Sequence, residues 1–314
     1  MSRPRKSHPK CLLCGQEGRP VLAGLFDDRF GAPGLYDIVK CPSCGLEQTW
    51  PRPSERQLKE LYERFYNYGG EAGTTYTKLR ERLMASPLYQ LWLKADGDIS
   101  FHMRSGAGRL LDVGCNEGRG LTLYAGQGFQ AEGLELNEQA AAQARKRGFT
   151  VHTQALAKFT PQRPYEVVVL ANVLEHVRDP VAMLSKVRRL LSSGGQVWIS
   201  CPNAAGFWRR LFGRHWINWH VPFHLWHFSP QSLKEVLVRA DFELIEIKTC
   251  TPALWLAQSL CVALAARAGR ANRVMRSAPV IAGLMLAARG LLHPWLGNLD
   301  RQMQGDCLIV TAGG

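Results

Sequence analysis

The stretch Leu110-Leu-Asp-Val-Gly-Cys-Asn-Glu-Gly118 decides the fold, because a short apolar run ends there in a glycine loop. The apolar run is typical of a buried strand, and residues 119–126 are predicted to open a helix. Glycines at 114 and 118 let backbone N–H groups approach a ligand at the start of that helix. The stretch therefore predicts a strand, a ligand-binding loop and a helix in succession.

Strands and helices alternate through the rest of the central region. Strands are predicted at 129–136, 149–153, 165–170, 196–201, 243–250 and 306–311, and helices at 138–147 and 180–191. Asn137 is the predicted N-cap of the first of these two helices. This order predicts an α/β fold with a mostly parallel, doubly wound sheet, which binds ligands at the carboxyl ends of its strands.

An acidic residue ends the second predicted strand. Glu135 lies 17 residues after Gly118, where a carboxylate is placed to accept both hydroxyls of a ribose. This chemistry fits NAD, FAD or S-adenosylmethionine (SAM). Asn116 stands two residues after Gly114, where NAD-binding loops have glycine, so the loop favours SAM.

Three ordered motifs together resemble class I SAM-dependent methyltransferases. They are 110–118, Gly133-Leu-Glu135 and Val169-Leu-Ala-Asn-Val-Leu-Glu-His-Val-Arg-Asp-Pro180. The resemblance covers about 108–247 and implies methyl transfer from SAM on a seven-stranded Rossmann-like sheet whose last strand is antiparallel. It also implies that Asp112 lies near the methionine amine of SAM. The implied cofactor-binding residues are Asp112, Gly114, Cys115, Gly118, Glu135, Leu136, Gln154, Ala155, Asn172, Leu174 and Glu175.

Two Cys-x-x-Cys-Gly sequences lie near the amino terminus. Cys11, Cys14, Cys41 and Cys44 form two pairs with 26 residues between them. Four thiolates at this spacing predict a tetrahedral Zn²⁺ site with no open position, hence a structural site in a small zinc ribbon. The alternative is a thioredoxin-like redox pair, which needs only one such sequence beside a βαβ unit.

An aromatic and histidine-rich segment follows the fifth predicted strand, at residues 207–228. His220 and His224 in this segment, with His176 after the fourth strand, are the candidate general bases for removing a proton from the acceptor. The alternative is that these histidines only hydrogen-bond a packed loop. A catalytic Mg²⁺ at Glu175 and His176 is the less favoured idea, because relatives that bind one have a second glutamate where this chain has Asn172.

Residues 251–303 form an insertion before the last strand. Two apolar stretches, 252–266 and 278–292, are each about 15 residues long, too short to span a bilayer, and Arg289 is expected to break the second. Four arginines lie between the stretches. The segment is predicted to be a helical cap, and the alternative is an interfacial hairpin that contacts anionic lipid.

Length and charge limit the possible domain division and function of the chain. The 314 residues are divided into a ribbon (1–53), a helical lead-in (54–107), a methyltransferase core (108–250), the insertion (251–303) and the last strand (304–314). The expected acceptor is a small or lipid/sugar-linked molecule methylated on oxygen or carbon, in the cytoplasm or at the inner membrane surface. The net charge of +13 keeps an RNA methyltransferase as the first alternative. The second alternative is a non-catalytic SAM-binding or scaffold protein.

Overall fold

The amino-terminal region is a small antiparallel sheet followed by helices. The computed structural model describes residues 8–66, 82–265 and 277–314. Strands β1 (Arg19–Leu25), β2 (Tyr36–Lys40) and β3 (Glu47–Trp50) pair in sequence order. Helix α1 (Glu55–Arg64) begins with a capping box in which Ser54 and Gln57 satisfy each other's backbone N–H groups. Helix α2 (Pro87–Asp96) comes next among the described elements.

The central sheet has seven strands and confirms the predicted fold. They are β4 (Arg109–Val113), β5 (Gln130–Leu134), β6 (Val151–His152), β7 (Tyr165–Ala171), β8 (Leu191–Pro202), β10 (Glu243–Cys250) and β11 (Cys307–Gly313). The short strand β9 (Trp226–His227) lies outside this sheet. The strand order in the central sheet is β10-β11-β8-β7-β4-β5-β6. The pairs from β8 to β6 are parallel, and β11 is antiparallel to both of its neighbours.

Helices connect these strands as the alternation predicts. They are α3 (Arg119–Gly126), α4 (Glu138–Lys146), α5 (Pro180–Arg188), α6 (Phe207–Phe212), α7 (Pro230–Arg239), α8 (Ala253–Ala265) and α9 (Ala278–Arg301). Asn137 caps α4 as predicted, accepting hydrogen bonds from the N–H groups of Gln139 and Ala140.

The boundary between α5 and β8 differs most from the sequence prediction, whereas other strand and helix ends in the central region shift by at most two residues. Helix α5 ends at Arg188 rather than at residue 191, and β8 begins at Leu191 rather than at residue 196. Leu191 already pairs with Tyr165 of β7, and a register shift follows before regular pairing resumes at Gln196. Pairing with β7 therefore extends the strand back through the serine and glycine residues that were expected to be a loop.

The insertion holds one helix longer than expected. Helix α9 has 24 residues, and Arg289 does not break it. The Arg289 side chain is buried and donates from Nε to Asp96 Oδ1 at 2.7 Å. The expectation that neither apolar stretch reaches membrane-spanning length is wrong. Residues 279–301 form a helix that is long and apolar enough to cross a membrane, judged by length and composition alone. Only 17% of its most apolar 18-residue part is buried. The four predicted arginines, at 267, 270, 273 and 276, lie outside the described residues.

The ribbon and the central sheet share a hydrophobic core. Cys11, Cys41 and Leu46 belong to the same buried cluster as Leu111 of β4 and Leu170 of β7. Strand β9, from the aromatic segment, adds a fourth strand to the ribbon sheet by pairing with β3. The division at residue 53 stays a prediction, but strand β9 joins the ribbon sheet and the two parts share a common core.

Candidate active site

The loop after β4 is held in conformations that favour glycine. Gly114 and Gly118 have φ angles of +78° and +74°, in the left-handed region. A side chain at Gly118 would also place its Cβ 2.7 Å from the Cβ of Ala144 on α4. Asn116 has a φ of +50°, which asparagine adopts more readily than most residues. Gly114 and Asn116 are exposed in this loop, whereas Gly118 is buried against α4 and lets the loop pack closely there.

Glu135 is fixed where β5 ends. Its Oε2 accepts a hydrogen bond from the Asn116 N–H at 3.0 Å, and its Oε1 accepts one from the Asn137 N–H at 2.8 Å. The carboxylate thus joins the loop after β4 to the start of α4. Leu136 follows it and is 72% exposed, an apolar surface against which a planar ring can pack.

Asp112 and Cys115 are buried beside this loop. Burial, with a smaller contribution from the charge of Glu135, raises the pKa of Asp112 to about 8. Burial also raises the pKa of the Cys115 thiol, so Cys115 is a packed neutral side chain. If Cys115 contacts the cofactor as the resemblance implies, it does so through its backbone rather than its thiol.

Gln154 and Ala155 are exposed in the loop after β6. Because β6 is parallel to β5, this loop lies at the same edge of the sheet as Glu135. The structure thus places them at the same edge as Glu135, although no contact involving their side chains links them to it.

The loop after β7 carries an unpartnered polar atom. Asn172 has a φ of +55°, and its backbone N–H donates to Ser200 O. Its Oδ1 is buried and has no hydrogen-bond partner among the described residues. An orphaned buried oxygen is unfavourable unless a ligand satisfies it, so Asn172 is suited to contact a bound molecule. Leu174, by contrast, is fully buried in the core, and its side chain is a packing residue.

Glu175 lies against two of the clustered histidines, His176 and His224. It is 1% exposed, and neither carboxyl oxygen has a hydrogen-bond partner among the described residues. Burial raises its pKa to about 8, so the neutral acid predominates at pH 7. Its Oε1 lies 4.0 Å from Nε2 of His224. The backbone N–H of Leu225 donates to Glu175 O, which joins this loop to the aromatic segment.

Backbone carbonyls fix the tautomers of two histidines. His224 Nδ1 lies 2.7 Å from Asn218 O, and His176 Nδ1 lies 3.1 Å from Phe223 O. Carbonyl oxygens only accept, so both Nδ1 atoms donate and both Nε2 atoms carry a lone pair. Burial lowers the pKa of His224 well below its usual value and that of His176 to about 4, so both rings are neutral at pH 7.

His220 completes the cluster from a left-handed backbone position, with a φ of +36°. Its ring centroid is 4.8 Å from that of His224, and it stacks on Tyr66 at 5.6 Å. Burial is the largest cause that lowers its pKa well below the usual range. All three predicted histidines are therefore brought together, although they come from two separate loops.

Residues outside the predicted set also contact the cluster. The Tyr62 hydroxyl on α1 lies 2.9 Å from His176 Nδ1, and Phe30 of the ribbon packs on His220 at 5.5 Å. Thr49 of β3 donates to His224 O at 2.6 Å. No sequence motif marks these residues. Only the tertiary fold brings them to the site.

The four ribbon cysteines converge on one point. Their sulfur atoms lie within 4.8 Å of one another, and the Cys11–Cys44 and Cys14–Cys41 sulfurs are 3.4 and 3.3 Å apart. A tetrahedral zinc site with Zn–S bonds of about 2.3 Å needs sulfurs roughly 3.8 Å apart. The donor set and its spacing therefore fit Zn²⁺.

A second group of metal-ligand atoms lies in the histidine cluster. One atom each from Glu175, His176 and His224 lies within 4.8 Å of the other two. The predicted Glu175–His176 pair is thus joined by His224, which the spacing along the sequence did not indicate as a ligand. Two imidazoles and a carboxylate suit a divalent transition metal better than Mg²⁺, which prefers oxygen ligands.

Comparisons with known proteins identify the family of this chain. A family model described as a methyltransferase domain matches residues 76–247, just over half of the chain. The ubiquinone biosynthesis O-methyltransferase of Burkholderia vietnamiensis is 28% identical over 179 residues, which cover 52% of this chain and 77% of that protein. A probable S-adenosylmethionine-dependent methyltransferase of Mycolicibacterium smegmatis is 34% identical over 142 residues, covering 44% and 53%. Among solved structures, a SAM-dependent methyltransferase from Archaeoglobus fulgidus superimposes with a TM-score of 0.46 at 19% identity, covering 73% of this chain and all of that one.

The sheet order, the glycine loop and the acid after β5 define a class I, Rossmann-like methyltransferase. This chain belongs to the methyltransferase-domain family, and it is a SAM-dependent methyltransferase.

Proposed function

We propose that the protein transfers the methyl group of SAM to an oxygen of a small-molecule acceptor bound between the loop after β7 and the aromatic segment. The observation that carries this proposal is the neutral His224 ring, whose Nε2 lies 4.0 Å from the buried Glu175 Oε1; the same loop carries the unpartnered Asn172 oxygen. The name of the Burkholderia relative, an O-methyltransferase, supports oxygen over carbon.

The cofactor site is assigned to the edge formed by the loops after β4, β5, β6 and β7. In this assignment Glu135 accepts the ribose hydroxyls, Leu136 flanks the adenine, and Asp112 lies near the methionine amine. The orphaned Asn172 Oδ1 and the exposed backbone at Gly114 fit a bound ligand. When bound, SAM supplies an electrophilic methyl group on a positively charged sulfur.

His224 is the proposed general base. Its Nε2 accepts the acceptor's hydroxyl proton as the oxygen–methyl bond forms and the sulfur–methyl bond breaks, leaving the electron pair on sulfur. In the fraction of molecules in which Glu175 is ionised, its carboxylate, 4.0 Å from Nε2, stabilises the imidazolium that results. His176 and His220 then serve as walls that exclude water from the reacting groups, because neutral, buried rings surround His224 on both sides.

A transfer assay tests this proposal. The protein is incubated with [methyl-³H]SAM and cell extract separated into RNA, aqueous metabolites and solvent-extracted lipids. Label is expected in a metabolite or lipid fraction, and His224→Gln is expected to lower the rate by about 10²–10⁴-fold with SAM affinity unchanged. His215→Gln is the matched control, because His215 lies in the same segment but outside the cluster. Label in RNA alone, or a wild-type rate for His224→Gln, would contradict the proposal.

Metal-assisted transfer is a second candidate, favoured by the Glu175, His176 and His224 group. In that case the three side chains hold a divalent ion that lowers the pKa of the acceptor hydroxyl. Mn²⁺ is a suitable probe, because it has a distinct paramagnetic resonance signal and the cysteine site disfavours it. One equivalent bound by the wild type and none by Glu175→Gln would support this candidate. No binding by either would leave His224 as the base.

We also propose that the insertion docks on anionic lipid, which would give lipid-linked acceptors access to the site. Residues 251–299 contain five arginines and no acidic residue. Leu264 on α8 and Leu286 and Leu291 on α9 are 78%, 65% and 80% exposed, respectively. Four of the five arginines lie between these two helices in the sequence, and the fifth, Arg289, is buried against Asp96. Exposed apolar side chains in a segment of net positive charge are typical of interfacial helices.

Vesicle sedimentation tests this docking. The protein is expected to sediment with vesicles of phosphatidylcholine and phosphatidylglycerol, and far less with phosphatidylcholine alone. Leu291→Glu is expected to weaken this binding, whereas Val238→Glu, at an exposed apolar position of α7, is the control. Equal binding by both variants would contradict the assignment. A concentration-dependent dimer that Leu291→Glu abolishes would assign the face to a second copy of the chain instead.

Zinc is the proposed occupant of the four-cysteine site. The group has no position left for a substrate, so its proposed role is structural. Metal analysis of protein prepared without chelators is expected to give one zinc per chain. A zinc-free preparation that folds normally would overturn the assignment.

A further inference from the structure

The ribbon contacts the aromatic segment through its last strand. Strand β3 pairs with β9, with Glu47 opposite His227 and Gln48 opposite Trp226. Beyond this pair, the Thr49 N–H donates to Leu225 O at 3.1 Å. The backbone immediately after His224 is therefore hydrogen-bonded to the ribbon through Leu225 O, while the Leu225 N–H donates to Glu175 O in the loop after β7.

The Thr49 side chain extends this contact to the histidines. Its hydroxyl donates to His224 O at 2.6 Å. Because the single hydroxyl proton is used there, His227 Nε2, at 3.0 Å, must donate to Thr49 Oγ1. Thr49 is fully buried. If its hydroxyl is removed, water cannot easily reach His224 O and His227 Nε2 to replace the lost hydrogen bonds.

A buried ion pair holds the same two parts together. Arg209 Nη2 on α6 donates to both oxygens of Glu47, at 3.0 and 2.8 Å. The Arg209 guanidinium also lies 5.0 Å from the Trp219 ring centroid. These contacts lie beside Thr49, so β3 has little freedom to move relative to the segment that carries His224.

The proposed zinc site is close to β3 along the chain. The Cys41 N–H donates to Leu46 O, and Cys44 lies three residues before the first residue of the strand. A metal held by Cys41 and Cys44 would therefore fix the start of β3. The contacts run in sequence from the cysteines, through β3, to the carbonyl of His224.

We propose that Thr49 is a positioning residue through which the zinc ribbon sets the place of His224, so that the ribbon forms part of the acceptor site. The part played in catalysis rests on the function proposed above. The mechanical coupling does not, since it concerns only the ribbon and residues 220–228. A ribbon that merely binds a partner elsewhere would have no such effect on these residues.

Hydrogen exchange measured by mass spectrometry tests the coupling in the full-length protein. Thr49→Val keeps the shape but removes the hydroxyl, and it is expected to speed exchange in residues 220–228 by roughly tenfold or more. Exchange in residues 112–120 and the affinity for SAM should not change. Thr49→Ser restores the hydroxyl and should restore slow exchange. Thr311→Val is the control, because Thr311 is buried on β11 and accepts from Arg104 far from this loop.

Zinc removal provides an independent test that does not depend on a variant folding. Treatment with a chelator should speed exchange in residues 220–228 as Thr49→Val does, again with SAM affinity unchanged. Unaltered exchange there after zinc loss, or in Thr49→Val, would overturn the proposal. If exchange changes as expected but no acceptor is ever methylated, the proposed function fails while the coupling stands.

Discussion

Asp112 is the residue whose ionisation should report cofactor binding. Its pKa is raised to about 8, chiefly by burial, so it is mostly protonated at pH 7. A positively charged amine placed beside it favours the ionised form. By linkage, binding then releases a proton below pH 8, and affinity for SAM rises with pH over this range.

Calorimetric titration at pH 6, 7 and 8 checks this prediction. The affinity of the wild type for SAM should increase by up to about tenfold per pH unit and level off near pH 8. Asp112→Asn, which cannot ionise, should bind more weakly and show no such slope. A wild-type affinity that does not vary between pH 6 and 8 would show that Asp112 does not face the amine.

Residues within a local motif could be predicted, whereas residues joined by the tertiary fold could not. Gly114, Gly118 and Glu135 lie in one strand–loop–helix–strand unit. Their spacing along the sequence is enough to predict that they lie at the same edge of the sheet. Tyr62 reaches His176 across 114 residues, and Thr49 reaches His224 across 175. Such contacts leave no periodicity or spacing in the sequence, because they depend on how separate elements pack.

At the scale of elements, α9 shows why local patterns misjudge helix length. A charged residue in an apolar stretch predicts an interruption. Here the helix continues, because Arg289 pairs with Asp96 and donates to its backbone oxygen at 3.0 Å. Asp96 Oδ1 also accepts from the N–H of Ala253, the first residue of α8. One buried ion pair therefore anchors both helices of the insertion to α2.

Breaking this pair should be strongly destabilising. Arg289→Met leaves Asp96 buried without its partner, and the free energy of unfolding should fall by about 3–5 kcal/mol in urea titrations. The double variant with Asp96→Asn should recover part of this loss. Arg239→Met, which removes an exposed pair with Glu235, is the control and should change stability by no more than about 0.5 kcal/mol. Equal effects of the two arginine substitutions would contradict the anchoring role.

At the scale of the whole molecule, the ribbon and the methyltransferase core should unfold together. Cys11 and Cys41 lie in the same buried cluster as residues of β4, β7 and β8, and β9 completes the ribbon sheet. Parts that share a core usually unfold in one cooperative transition. The sequence predicted both parts but not this union, since β9 is two residues long and lies within a segment expected to be a loop.

Scanning calorimetry distinguishes a shared core from two independent domains. The zinc-loaded protein is expected to give one transition, and chelation should lower its midpoint temperature as a whole. A separate, low-temperature transition that alone responds to the chelator would instead identify an independently folding ribbon.

The central claim, a SAM site built around Glu135, is tested most directly by calorimetric titration with SAM and, separately, with NAD. We predict micromolar binding of SAM, none of NAD, and a loss of about 10- to 100-fold in SAM affinity for Glu135→Ala. Glu138→Ala, an exposed acid three residues away, should leave the affinity unchanged. Wild-type affinity in Glu135→Ala, or binding of NAD in place of SAM, would contradict the account.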